Sequence, residues 1–182
     1  MSESGQSKGG FDGPLGLAAI VLAIVVGAVL LERFTRPTDL GGSTPPMPLP
    51  ELRAEGWLNT GGAGLVRADL SGQWVVVDSW ATFCRPCLMS MPKLADLYGR
   101  WKDRGVEIVG VTSEPGSMLD TIEATVNRFE GVDWPVAYGA GMVNDQLSIT
   151  MIPTYILFDP EGISVWRGHS VKELEAALEA RL

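Results

Sequence analysis

Apolar and polar positions divide the chain into three stretches. Gly13 to Leu31 is a run without a charge, and Leu15 to Leu31 is almost wholly aliphatic. At about 1.5 Å of rise per helical residue, such a run matches the roughly 30 Å hydrocarbon core of a bilayer. It has no polar face, and a domain of this size cannot enclose a helix on every side. The reading is an N-terminal membrane anchor over 13–31, with a tail over 1–12. The rival is a cleaved signal peptide, for which Val26-Gly27-Ala28 would serve as the small-residue site. Against it, the run exceeds the usual ~7–15-residue apolar region, and Lys8 is its whole basic leader. No Cys follows, which excludes a lipid-modified anchor. Lys8 and the amino terminus precede the run, and Arg33 and Arg36 follow it, so charge leaves the orientation near a tie.

Residues 32–50 hold Pro45, Pro46, Pro48, Pro50 and Gly41-Gly42 and read as a semi-extended tether. The domain is expected over 51–182. There the pattern alternates between strand and helix. Trp74 to Val77 is a short apolar, β-branched run of the kind a buried parallel strand shows, and Val106 to Thr112 is a second. From Arg85 to about Lys102, Leu88, Met91, Leu94, Ala95, Tyr98 and Trp101 follow helical spacing, with a kink expected at Pro92. Met118 to Phe129 predicts a helix, a shorter element ends near Tyr138, and Met142 to Ile149 predicts a helical turn. Thr154 to Phe158 predicts a third strand. Asp159-Pro160-Glu161-Gly162 is a turn by composition, returning Ile163 to Trp166 antiparallel. Ser170 and Glu173 form a capping box ahead of Leu174, Ala177 and Leu178. The layout is α/β around one central sheet.

Composition changes this picture in one respect. Hydrophobic residues at 46% and charged residues at 20% are ordinary for a globular chain. The net charge of −8, with no basic cluster, excludes nucleic acid as the main partner.

The chemistry concentrates in the two cysteines, Cys84 and Cys87, a C-x-x-C placed after a buried strand at a helix start. Unpaired N–H groups and the positive dipole end of a helix favour thiolate over thiol at the first cysteine. Arg85 adds a positive charge, and Pro86 suits the first turn. Two inert buried thiols are the bland alternative, weakened by their closeness and the lack of any other cysteine. A zinc site needs about four ligands, and the chain has no second Cys pair and one His, His169, expected on a surface loop. Haem attachment needs a His after the second cysteine, where Leu88 stands. Glu114, after a strand end, reads as solvated.

Val76-Val77-Asp78-Ser79-Trp80-Ala81-Thr82-Phe83-Cys84-Arg85-Pro86-Cys87 resembles the active-site strand, loop and helix start of the thioredoxin superfamily. Pro92 matches its kink proline, and Ile152-Pro153-Thr154 matches the loop whose proline is cis and faces the disulfide. The resemblance runs from about Gly56 to Leu182. It implies a thioredoxin-like fold, a mixed sheet flanked by helices. The stretch between Thr112 and Ile152-Pro153 is far longer than a minimal strand-to-helix crossover needs. It resembles the extra strand–helix insertion of the membrane-anchored TlpA and ResA proteins. Those proteins face the bacterial periplasm or its equivalent and exchange thiols with protein disulfides; some serve cytochrome c maturation.

Carried onto this chain, the resemblance implies a protein disulfide reductase without cofactor or metal. It would act as a monomer on protein thiols and disulfides, be reset by a membrane thiol donor, and be held by residues 13–31 with its domain on the extracytoplasmic side. Cys84 is the exposed nucleophile and Cys87 resolves the mixed disulfide. Asp78 is the buried carboxyl that takes the Cys87 proton, with a structural carboxylate as the alternative. Trp80 shields the site, or is simply core. Arg85, Pro86, Ile152 and Pro153 border the substrate. Two departures stand out: Ser90 lies where several ResA-like relatives carry an acid, and Phe83 replaces a common tryptophan. A peroxiredoxin would need Pro and Thr or Ser where Val77 and Ala81 stand. A copper-delivery module of the SCO type usually has one more residue between its cysteines. A disulfide oxidant or isomerase remains the alternative within the fold, because Arg85 favours the oxidant and Asp78 opposes it.

Overall fold

The computed structural model describes residues 18, 20–27 and 45–182. Two units separate at residue 38. In the first, residues 18 and 20–27 are helical with exposed side chains; the rest of the anchor expected over 13–31 lies outside the described residues. Among those described, no helix is long and apolar enough to cross a membrane.

The second unit is built on one six-stranded mixed sheet. Its elements are β1 (Gly56–Leu58), β2 (Trp74–Ser79), α1 (Arg85–Trp101), β3 (Val106–Val111), α2 (Leu119–Val126), β4 (Val136–Tyr138), α3 (Gly141–Gln146), β5 (Thr154–Phe158), β6 (Ser164–Gly168) and α4 (Val171–Glu179). The order across the sheet is β1-β4-β3-β2-β5-β6. β2 pairs parallel with β3 and antiparallel with β5, and β6 returns antiparallel on β5. This is the thioredoxin-like arrangement that the sequence leads one to expect. Between β3 and β5 the chain makes a helix, a strand and a second helix, which accounts for the long crossover.

Both faces of the sheet are covered, as the near-continuous apolar strands require. On one face Val76, Ile108 and Leu157 pack under α1, α2 and α4 through Leu94, Ile122, Leu174 and others. On the other, Val75, Val77, Val109, Ile156 and Phe158 meet Val143, Leu147 and the buried Leu49 and Leu52. The end of the proline-rich stretch takes part. Met47 N donates to Ser164 Oγ at 2.8 Å, and Leu49 N donates to Gly162 O at 2.8 Å.

Helix α1 runs unbroken through Pro92. It ends in a short 3-10 turn closed by Gly105, whose φ of 82° is the left-handed conformation that glycine adopts freely. Ser170 caps α4 by accepting from Glu173 N at 3.2 Å, one half of the expected capping box. The strand β1 has no counterpart in the sequence reading: three half-buried residues carry no alternation to read.

Candidate active site

Strand β2 ends at Ser79, and the chain turns through Ala81 and Thr82 into α1. Cys84 occupies the N-cap position, and its Sγ accepts the backbone N–H of Cys87 at 3.2 Å. The expected placement of the first cysteine at a helix start is therefore met by an N–H donor on its sulfur. Cys84 and Cys87 are joined by a disulfide with an S–S length of 2.02 Å. Cys84 is 5% exposed and Cys87 2%. The expectation of an exposed nucleophile needs correction: the first cysteine is the more accessible of the two, but its surroundings cover it. Arg85 and Pro86 lie exposed beside it, as does Phe83 at 79%.

Asp78 lies on the sheet face that carries α1, between Gly110 of β3 and Tyr155 of β5 in the strand register. It is 2% exposed. Burial pushes its carboxyl from the ordinary 3.8 up to about 7, because an ion there would be stripped of water without compensation. No hydrogen-bond donor among the described residues reaches it. Trp80 is buried in the same apolar cluster as both cysteines, and its Nε1 has no partner among the described residues.

The Ile152–Pro153 peptide is cis. Thr154 stands opposite Ser79, so this loop is brought to the end of β2 from which the cysteine turn departs. Ile152 is half-buried against the cluster containing the cysteines. The sequence-predicted residues thus collect at one end of the sheet. Among the described residues, no group of three His, Cys, Asp or Glu side chains is placed to hold a metal ion.

Three residues here were not assigned from sequence. Glu114 is a correction: it is 6% exposed, not solvated. Its carboxyl accepts from Thr82 N at 2.9 Å, Thr82 Oγ1 at 2.5 Å and Thr112 Oγ1 at 3.0 Å, pinning the turn two residues before Cys84. Tyr155, 1% exposed, places its hydroxyl 2.9 Å from Ser90 Oγ. His169 is exposed as expected, yet its Nδ1 lies 2.9 Å from Pro153 O, against the cis-proline loop. The acidic residue close after a strand end was the one available signal for Glu114; the other two contacts depend on strand register.

Comparison with known proteins agrees with this geometry. The AhpC/TSA family model matches residues 47–166. The thiol-disulfide oxidoreductase ResA of Oceanobacillus iheyensis is 33% identical over 150 residues, covering 80% of this chain and 71% of that protein. ResA of Halalkalibacterium halodurans is 33% identical over 102 residues, 56% of each chain. The chain thus spans between about half and three quarters of these relatives. The fold matches the thioredoxin domain of a thiol-disulfide oxidoreductase from Bacteroides vulgatus at a TM-score of 0.61 and 24% identity, over 74% of this chain and 96% of that one. It also matches a thiol-disulfide oxidoreductase from Bacteroides fragilis at 0.64 and 18% identity, over 75% and 100%. The extent of the family match, on a thioredoxin-like fold with relatives among the ResA proteins, places this chain in the AhpC/TSA family.

Proposed function

We propose that this protein is a thiol–disulfide oxidoreductase that reduces disulfides of exported proteins, tethered to a membrane through residues 13–31 with its domain on the extracytoplasmic side. The observation that carries the reading is the meeting of three features at one sheet end. A sulfur caps a helix and accepts an N–H, its partner lies one turn on, and a carboxyl that no donor among the described residues reaches is buried on the sheet face beneath them. In the dithiol form, the Cys84 thiolate is stabilised by the Cys87 N–H and attacks a substrate disulfide. One substrate sulfur leaves as thiolate and takes up a proton. Asp78 accepts the Cys87 proton, and the Cys87 thiolate attacks Cys84, which closes the internal disulfide and releases the second substrate sulfur. Two electrons pass from the pair to the substrate, and a membrane thiol donor restores them.

The exposed Phe83 and Met151 flank the cysteine turn and the cis-proline loop in sequence and offer an apolar border for a protein substrate. Apocytochromes c, whose paired cysteines must be reduced before haem attachment, are one fitting class. Val77 and Ala81 favour disulfide exchange over peroxide reduction, since neither offers the hydroxyl or the proline of the peroxidase motif.

Equilibrating the full chain with defined thiol–disulfide buffers tests the reading. A reversible two-electron couple near about −270 mV is expected of a reductant, whereas a value near about −120 mV makes the protein an oxidant. No reversible couple at all removes the function.

A further inference from the structure

Ser90 of α1 and Tyr155 of β5 form a hydroxyl pair that the exchange steps above do not use. Ser90 is one turn beyond Cys87. Its Oγ lies 2.8 Å from Cys87 O and 3.2 Å from Pro86 O, the back-bonding geometry of a helical serine. A serine hydroxyl has one proton, and two carbonyl oxygens, which cannot donate, compete for it. The third contact, Tyr155 Oη at 2.9 Å, must therefore be the donor to Ser90. The chain of donation runs from Tyr155 to Ser90 to the backbone of the turn that holds Cys87.

Tyr155 is also the cross-strand neighbour of Asp78 on the same sheet face. Burial first, then the charge of Asp78, raise the Tyr155 phenol, while its bond to Ser90 opposes them. The phenol is therefore neutral wherever Asp78 titrates, and it exerts no charge on that carboxyl. From β3 the residue opposite Asp78 is Gly110, and α1 contributes Cys87 and Ser90 to this layer. Tyr155 is thus the polar donor that β5 sets beside Asp78, and its proton is directed elsewhere.

We infer that Ser90 is a positioning residue for the resolving step: by accepting the Tyr155 proton, it keeps that phenol from donating to Asp78 and preserves Asp78 as the base for Cys87. The inference rests on the oxidoreductase reading. The step it tunes is the transfer of the Cys87 S–H proton to the Asp78 carboxylate. The Cys87 thiolate then forms the bond to Cys84 sulfur as the bond from Cys84 to the substrate sulfur breaks. Without Ser90, the Tyr155 hydroxyl loses its acceptor and turns to the carboxylate across the strands. A hydrogen bond to the charged form makes a weaker base.

The test uses the reduced full chain and excess dithiobis(nitrobenzoate). Cys84 releases a first nitrothiolate on attack, and Cys87 releases a second in a first-order phase that reads the resolving step. In Ser90→Ala the midpoint of the pH profile of that phase falls by about one unit, and its plateau falls with it. In Tyr155→Phe the midpoint stays at the wild-type value, and in the double variant it stays there too, because the misdirected donor is gone. Ser90→Thr, which keeps the hydroxyl, retains the wild-type profile. If Ser90→Ala leaves the midpoint unmoved, or if Tyr155→Phe moves it equally, the pair is a clamp on the helix and the inference is wrong. If the wild type never releases the second nitrothiolate, it is the oxidoreductase reading that fails.

Discussion

Two carboxyl groups are buried near the cysteine turn, and the chain uses them in opposite ways. Asp78, at the end of β2, is 2% exposed and meets no donor among the described residues; Glu114, just past the end of β3, is 6% exposed and meets three. Burial is similar, so donors make the difference. A carboxyl stripped of water and given nothing in return holds its proton toward neutral pH and becomes a base that a thiol can use. A carboxyl supplied with two hydroxyls and a backbone N–H becomes a fixed acceptor around which a turn is built. In the proposed mechanism the first serves as the base, and the second holds the turn that leads to Cys84.

The comparison has meaning only if the cysteine pair does the work, and that is where the largest effect lies. Cys84→Ser abolishes disulfide exchange. Cys87→Ser accumulates mixed disulfides through Cys84, visible as thiol-sensitive adducts after incubation with disulfide-bonded protein. Adducts on the Cys84→Ser variant instead would reverse the two roles.

Asp78→Asn comes next. Loss of a general base slows the resolving step by about 10²-fold at neutral pH and flattens its pH profile. Stability moves the other way. The folded-state value of about 7 lies above the ordinary 3.8. Below about pH 4 both folded and unfolded chains hold the proton, and there is no penalty. As pH rises, the unfolded chain releases it freely while the folded one does not, so stability drains away until about pH 7 and is then level. At about 1.36 kcal/mol per unit the loss is on the order of 4 kcal/mol. Asp78→Asn is therefore slower but more resistant to urea above neutral pH, and the gain vanishes near pH 3. Equal urea midpoints for both proteins at pH 8 would break the contrast.

Glu114→Gln carries the smallest effect and the opposite sign on stability. An amide turns donors toward Thr82, losing acceptors for buried groups, at a cost of about 1–3 kcal/mol. Attack by Cys84 slows severalfold because the turn before it loosens, while the midpoint of the resolving step stays in place. A shifted midpoint would mean that Glu114 acts on the proton chemistry and is no mere clamp.

What the sequence disclosed follows the range of each interaction. Cys84 at a helix start, Ser170 as cap of α4, the turn at Asp159 to Gly162 and the strand from Trp74 to Val77 are set by neighbours within a few residues, so pattern and spacing reveal them. Asp78 was legible through its place in a motif. Glu114 was misread because its burial is made by Thr82, 32 residues earlier, while its own surroundings, Ser113 and Pro115, look like an open loop. Tyr155 read as one more apolar position of a strand. That its hydroxyl meets Ser90, 65 residues away, follows from the register of β5 on β2 and the docking of α1, which no local pattern encodes. The three-residue β1 is likewise formed by its partner, β4.

The most direct test of the account is titration of the Asp78 carboxyl itself, by carboxyl-carbon NMR of the isotope-labelled full chain in its disulfide form. The account predicts a midpoint near 7 that disappears in Asp78→Asn. A midpoint near the ordinary 3.8 would mean that donors reach Asp78 after all, and the distinction between the base and the clamp would fall.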